Sequence, residues 1–122
     1  MAACSRTSYR IYIIGSKTIS ISDTIGISTP SNIDKVFKNS IKQFPKIEFG
    51  AHFHTKPSNW FEKIDSAYKA GCRRFDSVIQ GYGGCPMASD ELTGNFPTEK
   101  LINYLNQNNI INLLKTVPSD KF

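Results

Sequence analysis

The chain has two histidines, His52 and His54, and they stand two residues apart. Side chains at that spacing share one face of a strand. Two imidazoles on one face can meet a single divalent cation, with oxygen ligands or water filling the other positions. The same pattern also fits a pair of surface or hydrogen-bonded histidines. Cys85 lies in the run Gly81-Tyr82-Gly83-Gly84-Cys85-Pro86. The glycines there permit unusual backbone angles and close approach to a ligand. A thiol on such a loop could act as a nucleophile or proton donor, or it could be incidental to a turn. The dinucleotide-binding fingerprint is not met. Asp23, in Ser22-Asp23-Thr24-Ile25-Gly26, could orient a substrate hydroxyl, act as a base, or cap the turn that follows; capping is the commoner role. Asn95, after Gly94, could lend an amide oxygen to a hard cation or stabilise a Gly-Asn turn. Asp76 falls within a strand-like segment beside Arg73 and Arg74, where it could pair with either arginine or face the sheet centre.

Three strand-then-helix units position these residues. The first strand is expected over Thr18 to Asp23, where Ile19 and Ile21 alternate with polar residues. Pro30 suits a first helical turn, and Ser31 with Asp34 fits a capping box. Ile33, Val36, Phe37 and Ile41 then recur at helical spacing until Pro45. The second strand is expected from Lys46 to His54. Its helix carries Trp60, Ile64, Ala67 and Tyr68 on one face, with Gly71 as the C-terminal cap. A third strand is expected from Arg74 to Ile79, leading into the glycine-rich run, and a last helix from Thr98. Cys72 reads as a packing residue between helix and strand. Strand starts recur about every 28 residues, the length of a strand, a helix and two loops.

Such alternation predicts an α/β fold with a parallel sheet covered by helices. A closed eight-unit barrel needs about 250 residues, so three units in 122 residues form part of one or an open sheet. Parallel α/β folds gather their sites at the C-terminal ends of the strands. Asp23, the histidine pair and the Cys85 loop all fall on that edge.

Composition narrows the classes of partner. The longest apolar stretch, near Ile11 to Ile14, is too short to cross a membrane, and the first residues lack the pattern of a signal peptide. Three cysteines without paired spacing predict a reducing, cytoplasmic setting. The net charge of +5 comes from scattered lysines, including Lys17, Lys35, Lys38, Lys42, Lys46, Lys63 and Lys69. They read as a solvated surface and not as a nucleic-acid face.

Taken together, Asp23-Thr24-Ile25-Gly26 with Thr29-Pro30, His52-x-His54, Gly83-Gly84-Cys85-Pro86, Thr93-Gly94-Asn95 and Thr98-Glu99 resemble the later part of 3-hydroxy-3-methylglutaryl-CoA lyases. These are metal-dependent enzymes built on a TIM barrel. The cysteine loop with the downstream Gly-Asn is the specific part; related Claisen synthases share the histidine strand but generally lack that loop. The resemblance runs from about Gly15 to Ile110. Residues 1–14 match poorly, and 15–122 read as the C-terminal part of an incomplete barrel.

The resemblance implies that His52 and His54 bind Mg2+ or Mn2+ with Asn95 in support, that Cys85 transfers a proton, and that Asp23 lies near the substrate hydroxyl. It implies cleavage of 3-hydroxy-3-methylglutaryl-CoA to acetyl-CoA and acetoacetate. Thr55 stands where many members carry an acid. The family's opening strand, with its Asp-Arg-Glu-type motif, has no counterpart in this sequence. The chain alone is therefore expected to be inactive, needing a missing N-terminal half or, as a homo-oligomer, a second copy. The alternative is a non-catalytic fragment that binds metal or completes a barrel with another polypeptide.

Overall fold

The computed structural model describes residues 14–84 and 93–108. Strand β1 spans Thr18–Asp23 and is followed by helix α1, Pro30–Gln43. Strand β2, Glu48–Thr55, leads into helix α2, Trp60–Lys69. Strand β3, Arg74–Phe75, precedes a short 3-10 turn at Ile79–Gly81. Strand β4, Gly94–Asn95, precedes helix α3, Thr98–Gln107. No helix among the described residues is long and apolar enough to cross a membrane.

Strands β1, β2 and β3 run parallel in that order, with Ser20 beside Gly50 and Gly50 beside Arg74. The parallel α/β sheet follows the strand–helix alternation of the sequence. Among the described residues the helices pack against one face of the sheet. On that side the inward residues Ile19, Phe49, Ala51 and Phe53 are buried with Ile33 and Phe37 of α1 and Ile64 and Ala67 of α2. The Phe37 ring meets Phe53 edge-on at 6.2 Å. Each buried Ile or Phe side chain among them contributes about 1.5–3 kcal/mol. Strand alternation puts Ser20, Ser22, Gly50, His52, His54, Arg74 and Asp76 on the opposite face, so that face is polar.

Cys72 is buried as expected, with its thiol against the carbonyls of Phe49 and Arg74. Burial pushes that thiol up to about 11. Gly71 follows α2 with φ +109°, where a glycine was expected to end the helix.

The elements depart from the sequence expectations in four places. Helix α1 is capped by Thr29, whose side chain accepts the Asn32 N–H, and not by a box of Ser31 and Asp34. Pro30 occupies the first helical turn, which puts the cap one residue before it, and Asp34 pairs with Lys38 instead. Strand β2 starts two residues later than Lys46 and runs one past His54.

Strand β3 stops at Phe75 instead of continuing to Ile79. The cause is β4, which sequence periodicity did not reveal. It pairs antiparallel with the end of β2, His54 beside Asn95 and Thr55 beside Gly94. It thereby takes the edge that a longer β3 would need. Beyond Asp76 the chain bonds to the β4 side, through Val78 N–H to the Phe96 carbonyl (2.9 Å) and Thr98 N–H to the Val78 carbonyl (3.0 Å).

Candidate active site

The end of β2 brings the two histidines to the polar face of the sheet, with ring centroids 5.6 Å apart. Each ring is held through Nδ1. For His52 the partner is the Asp76 carboxylate, 3.2 Å away. For His54 it is the main-chain carbonyl of Asp23, at 3.0 Å. Both partners are acceptors, so each Nδ1 carries a proton, and in the neutral ring each Nε2 keeps its lone pair. That is how metal-ligating histidines are commonly oriented, by a hydrogen bond from the other ring nitrogen to a carboxylate or carbonyl.

Asn95 joins them by register. It lies opposite His54 in the antiparallel pair, and directly opposed residues share a face. Its Nδ2 donates to the Tyr82 carbonyl at 2.8 Å, which leaves Oδ1 as the end that could meet a cation. Two imidazole nitrogens and an amide oxygen form an open donor set that a divalent cation could complete with water or substrate oxygens. Among the described residues no three His, Cys, Asp or Glu side chains converge to hold a metal.

The glycine-rich run is anchored to the same place. Gly83 accepts the Asn95 N–H at 3.0 Å, and Gly84 bridges Gly94. Cys85 follows Gly84 directly and lies outside the described residues. Gln80 enters this run with φ 56°, a left-handed conformation that costs a non-glycine residue about 1–3 kcal/mol. Its N–H donates to both Glu99 oxygens, at 3.1 and 3.0 Å. An open cleft of about 160 Å³ adjoins Asn95, with Thr55, Lys56, Gly81 and Lys100 among its lining residues. A larger one, about 230 Å³, lies between β1 and α1 on the helix-covered side, against Ile33, Phe37 and Phe53. It is separated by the sheet from the imidazoles.

Asp23, which the resemblance places near the substrate hydroxyl, ends β1. By alternation it shares the parity of Ile19 and Ile21, and its carboxyl is buried on the helix side. There the Lys63 ammonium binds its Oδ2 at 2.6 Å, and Ser28 donates to the same oxygen through its N–H (3.1 Å) and its hydroxyl. Burial by itself would push this carboxyl up. The Lys63 hydrogen bond and charge and the two Ser28 bonds outweigh it and hold the group below the usual carboxylate range. What Asp23 offers His54 is its carbonyl.

Lys63 is a site residue that sequence reasoning placed on the solvated surface. It is 1 % exposed. Besides Asp23 it donates to the carbonyls of Gly26 (2.9 Å) and His54 (3.1 Å), so all three ammonium hydrogens are used. The ammonium therefore ties the end of β1, the turn after it and the end of β2 into one unit. Gly26 makes this approach possible. It has φ +73°, and a Cβ there would lie 2.6 Å from Thr93 and 3.4 Å from the His54 carbonyl.

The HMGL-like family model matches residues 3–117. Human cytoplasmic 3-hydroxy-3-methylglutaryl-CoA lyase is 33% identical over 97% of this chain and 32% of its own length. Hydroxymethylglutaryl-CoA lyase of Pseudomonas mevalonii is 34% identical, over 82% of this chain and 33% of its own. Among solved structures, the HMG-CoA lyase of Bacillus subtilis superposes with a TM-score of 0.79 at 30% identity, covering 88% of this chain and 36% of that one. The chain thus spans about a third of the length of the relatives it matches, and its sheet is part of their barrel. With the family model covering nearly all of the sequence, the chain belongs to the HMGL-like family, whose members are lyases.

Proposed function

We propose that this chain carries the metal-binding part of a site that cleaves 3-hydroxy-3-methylglutaryl-CoA to acetyl-CoA and acetoacetate. The observation that supports it is that both imidazoles are held by acceptors at Nδ1, which leaves the Nε2 atoms of His52 and His54 as the available ring nitrogens, with Asn95 in register with His54. His52, His54 and Asn95 would hold the cation, Mg2+ or Mn2+. When bound, the cation offsets negative charge on the substrate's hydroxyl and carboxylate oxygens.

The chain's own residues orient the imidazoles and supply a proton. Asp76 and the Asp23 carbonyl keep both rings in the tautomer that can bind. Loss of the substrate's hydroxyl proton lets its electron pair form the new ketone as the carbon–carbon bond breaks, and the bond's electrons pass to the thioester fragment as an enolate. Cys85, next to the anchored Gly84, is the proposed donor of the proton that converts this enolate to acetyl-CoA.

The test is a titration of the full 122-residue chain with Mn2+, read by electron paramagnetic resonance, alongside a cleavage assay. The assay is run on the chain alone and with the N-terminal part of a lyase relative added. One Mn2+ per chain, lost in His52→Ala and His54→Ala, together with activity only in the mixture, is the expected result. Bound Mn2+ with no cleavage in either case would favour the alternative, a metal-binding fragment without catalysis. No bound metal and no activity would sink the proposal.

A further inference from the structure

Gly50 and Arg74 are partners across β2 and β3, and the arginine folds back over the glycine. A Cβ at position 50 would stand 2.4 Å from the guanidinium carbon and 2.5 Å from Nη2. Any side chain there would therefore evict the guanidinium. From this notch Nη2 donates to Ser20 Oγ at 3.0 Å and Nη1 to Asp76 Oδ1 at 3.3 Å. Nε is buried and faces the Glu48 carboxylate at 3.7 Å. Ser20 donates in turn to Asp76 Oδ2 at 3.4 Å, the oxygen that also accepts from His52 Nδ1. Ser20, Gly50 and Arg74 form one rank across three strands, one residue pair below His52 and Asp76.

We propose that Arg74, seated over Gly50, is a positioning residue for the site: with Ser20 it fixes the Asp76 carboxylate, which fixes the His52 ring with Nε2 presented to the cation. It rests on the metal site proposed above.

The physical case is one of restraint. Asp76 and His52 are both more than a third exposed, so water competes for each end of their hydrogen bond. A carboxylate held at only one oxygen is free to turn. Here Oδ1 is taken by the arginine, while Oδ2 is shared by the serine and the histidine, so turning would break several bonds together. A planar guanidinium can reach Ser20 and Asp76 from two nitrogens simultaneously, which a lysine ammonium cannot copy in the same geometry. Partners of this kind behind a ligating histidine typically change metal affinity about 10–100-fold when removed.

The experiment uses the full chain at about pH 8, where an ordinary imidazole is neutral. Long-range proton–nitrogen NMR of the metal-free protein reads which nitrogen of each ring is protonated, and Mn2+ titration reads affinity. Arg74→Met and Gly50→Ala should each turn His52 from the Nδ1–H form to a mixture while leaving the His54 signals unchanged. Each should weaken Mn2+ binding about tenfold, with Arg74→Lys between them and the parent. Ser20→Ala, which leaves the backbone and the notch intact, should move His52 in the same direction. An unchanged His52 pattern in folded Arg74→Met and Ser20→Ala overturns the proposal whether or not Mn2+ binds. A parent chain that takes up no Mn2+, with His52 still disturbed in the variants, overturns the metal site and supports the fixing of the ring by Arg74.

Discussion

Replacing Lys63 by Met tests whether the buried ammonium holds the end of β2 in place. The side chains are close in length, so the change removes a charge and three donors without opening a large void. What remains is the buried Asp23 carboxylate, still bonded to Ser28, and two carbonyls, of Gly26 and His54, that have lost their partner. Removing one member of a buried ion pair costs about 3–5 kcal/mol. A domain of this size has roughly 5–15 kcal/mol of stability in all, so the loss is a large share.

Urea unfolding followed by circular dichroism measures it, and the double variant Asp23→Asn/Lys63→Met supplies the control. Without the stranded carboxylate, the double variant should cost less than the two single changes together, by at least about 1 kcal/mol. The pH dependence has a definite sign. The folded Asp23 carboxyl is held below its ordinary value. Its contribution is therefore full above an unfolded value of about 4 and is lost as pH falls through the folded one. Asp23→Asn should flatten that acid limb. A Lys63→Met cost below about 1 kcal/mol, or strict additivity in the double variant, would show that the pair is solvated and refute the reasoning.

Two further outcomes follow from the same contacts. Cys72 is buried with its thiol pushed up to about 11, so iodoacetamide at about pH 8, far below that value, should label it only as the chain unfolds; labelling of native Cys72 at the rate of a free thiol would contradict the packing. Glu99→Ala removes the acceptor that holds the left-handed Gln80 N–H. The Gln80 amide should then exchange with solvent at least about tenfold faster, which corresponds to about 1.4 kcal/mol, while the amides of β2 keep their protection; unchanged exchange at Gln80 would mean that Glu99 is not its anchor.

The sequence made some of this legible because it has a period. Ile19 and Ile21 alternate, and β1 lies where that alternation put it; the apolar spacing of Trp60, Ile64 and Ala67 likewise located α2. The same alternation contained a warning about Asp23, which shares the parity of the two isoleucines and so faces the helices. Lys63 sits within the apolar stripe of α2, between Trp60 and Ile64, a signal that its charge obscured. Gly50 inside a strand is the mark of a close approach, and Arg74 is what approaches. Strand β4 could not be read: two residues carry no period, and Gly-Asn states a turn preference that pairing with His54 and Thr55 overrides. Its formation also shortened β3, so one unreadable element produced two departures.

The two histidines are held from opposite sides of the sheet, and that separation has a measurable consequence. His54 is fixed through the Asp23 carbonyl, on a turn braced by Lys63 from the helix layer. His52 is fixed through Asp76, braced by Arg74 and Ser20 on the polar face. The Lys63 set and the Arg74 set share no residue, the sheet lies between these supports, and they meet at the two imidazoles, whose ring centroids are 5.6 Å apart. Changes without shared partners combine additively to within about 0.3–0.5 kcal/mol, whereas one continuous network would couple more strongly. In a folded Lys63→Met/Arg74→Met chain, the loss of Mn2+ affinity should therefore equal the product of the single losses to within about twofold. NMR should show each ring disturbed only by the substitution on its own side. If Arg74→Met shifts the His54 ring as much as the His52 ring, the supports are one structure and the two-sided account of the site is wrong.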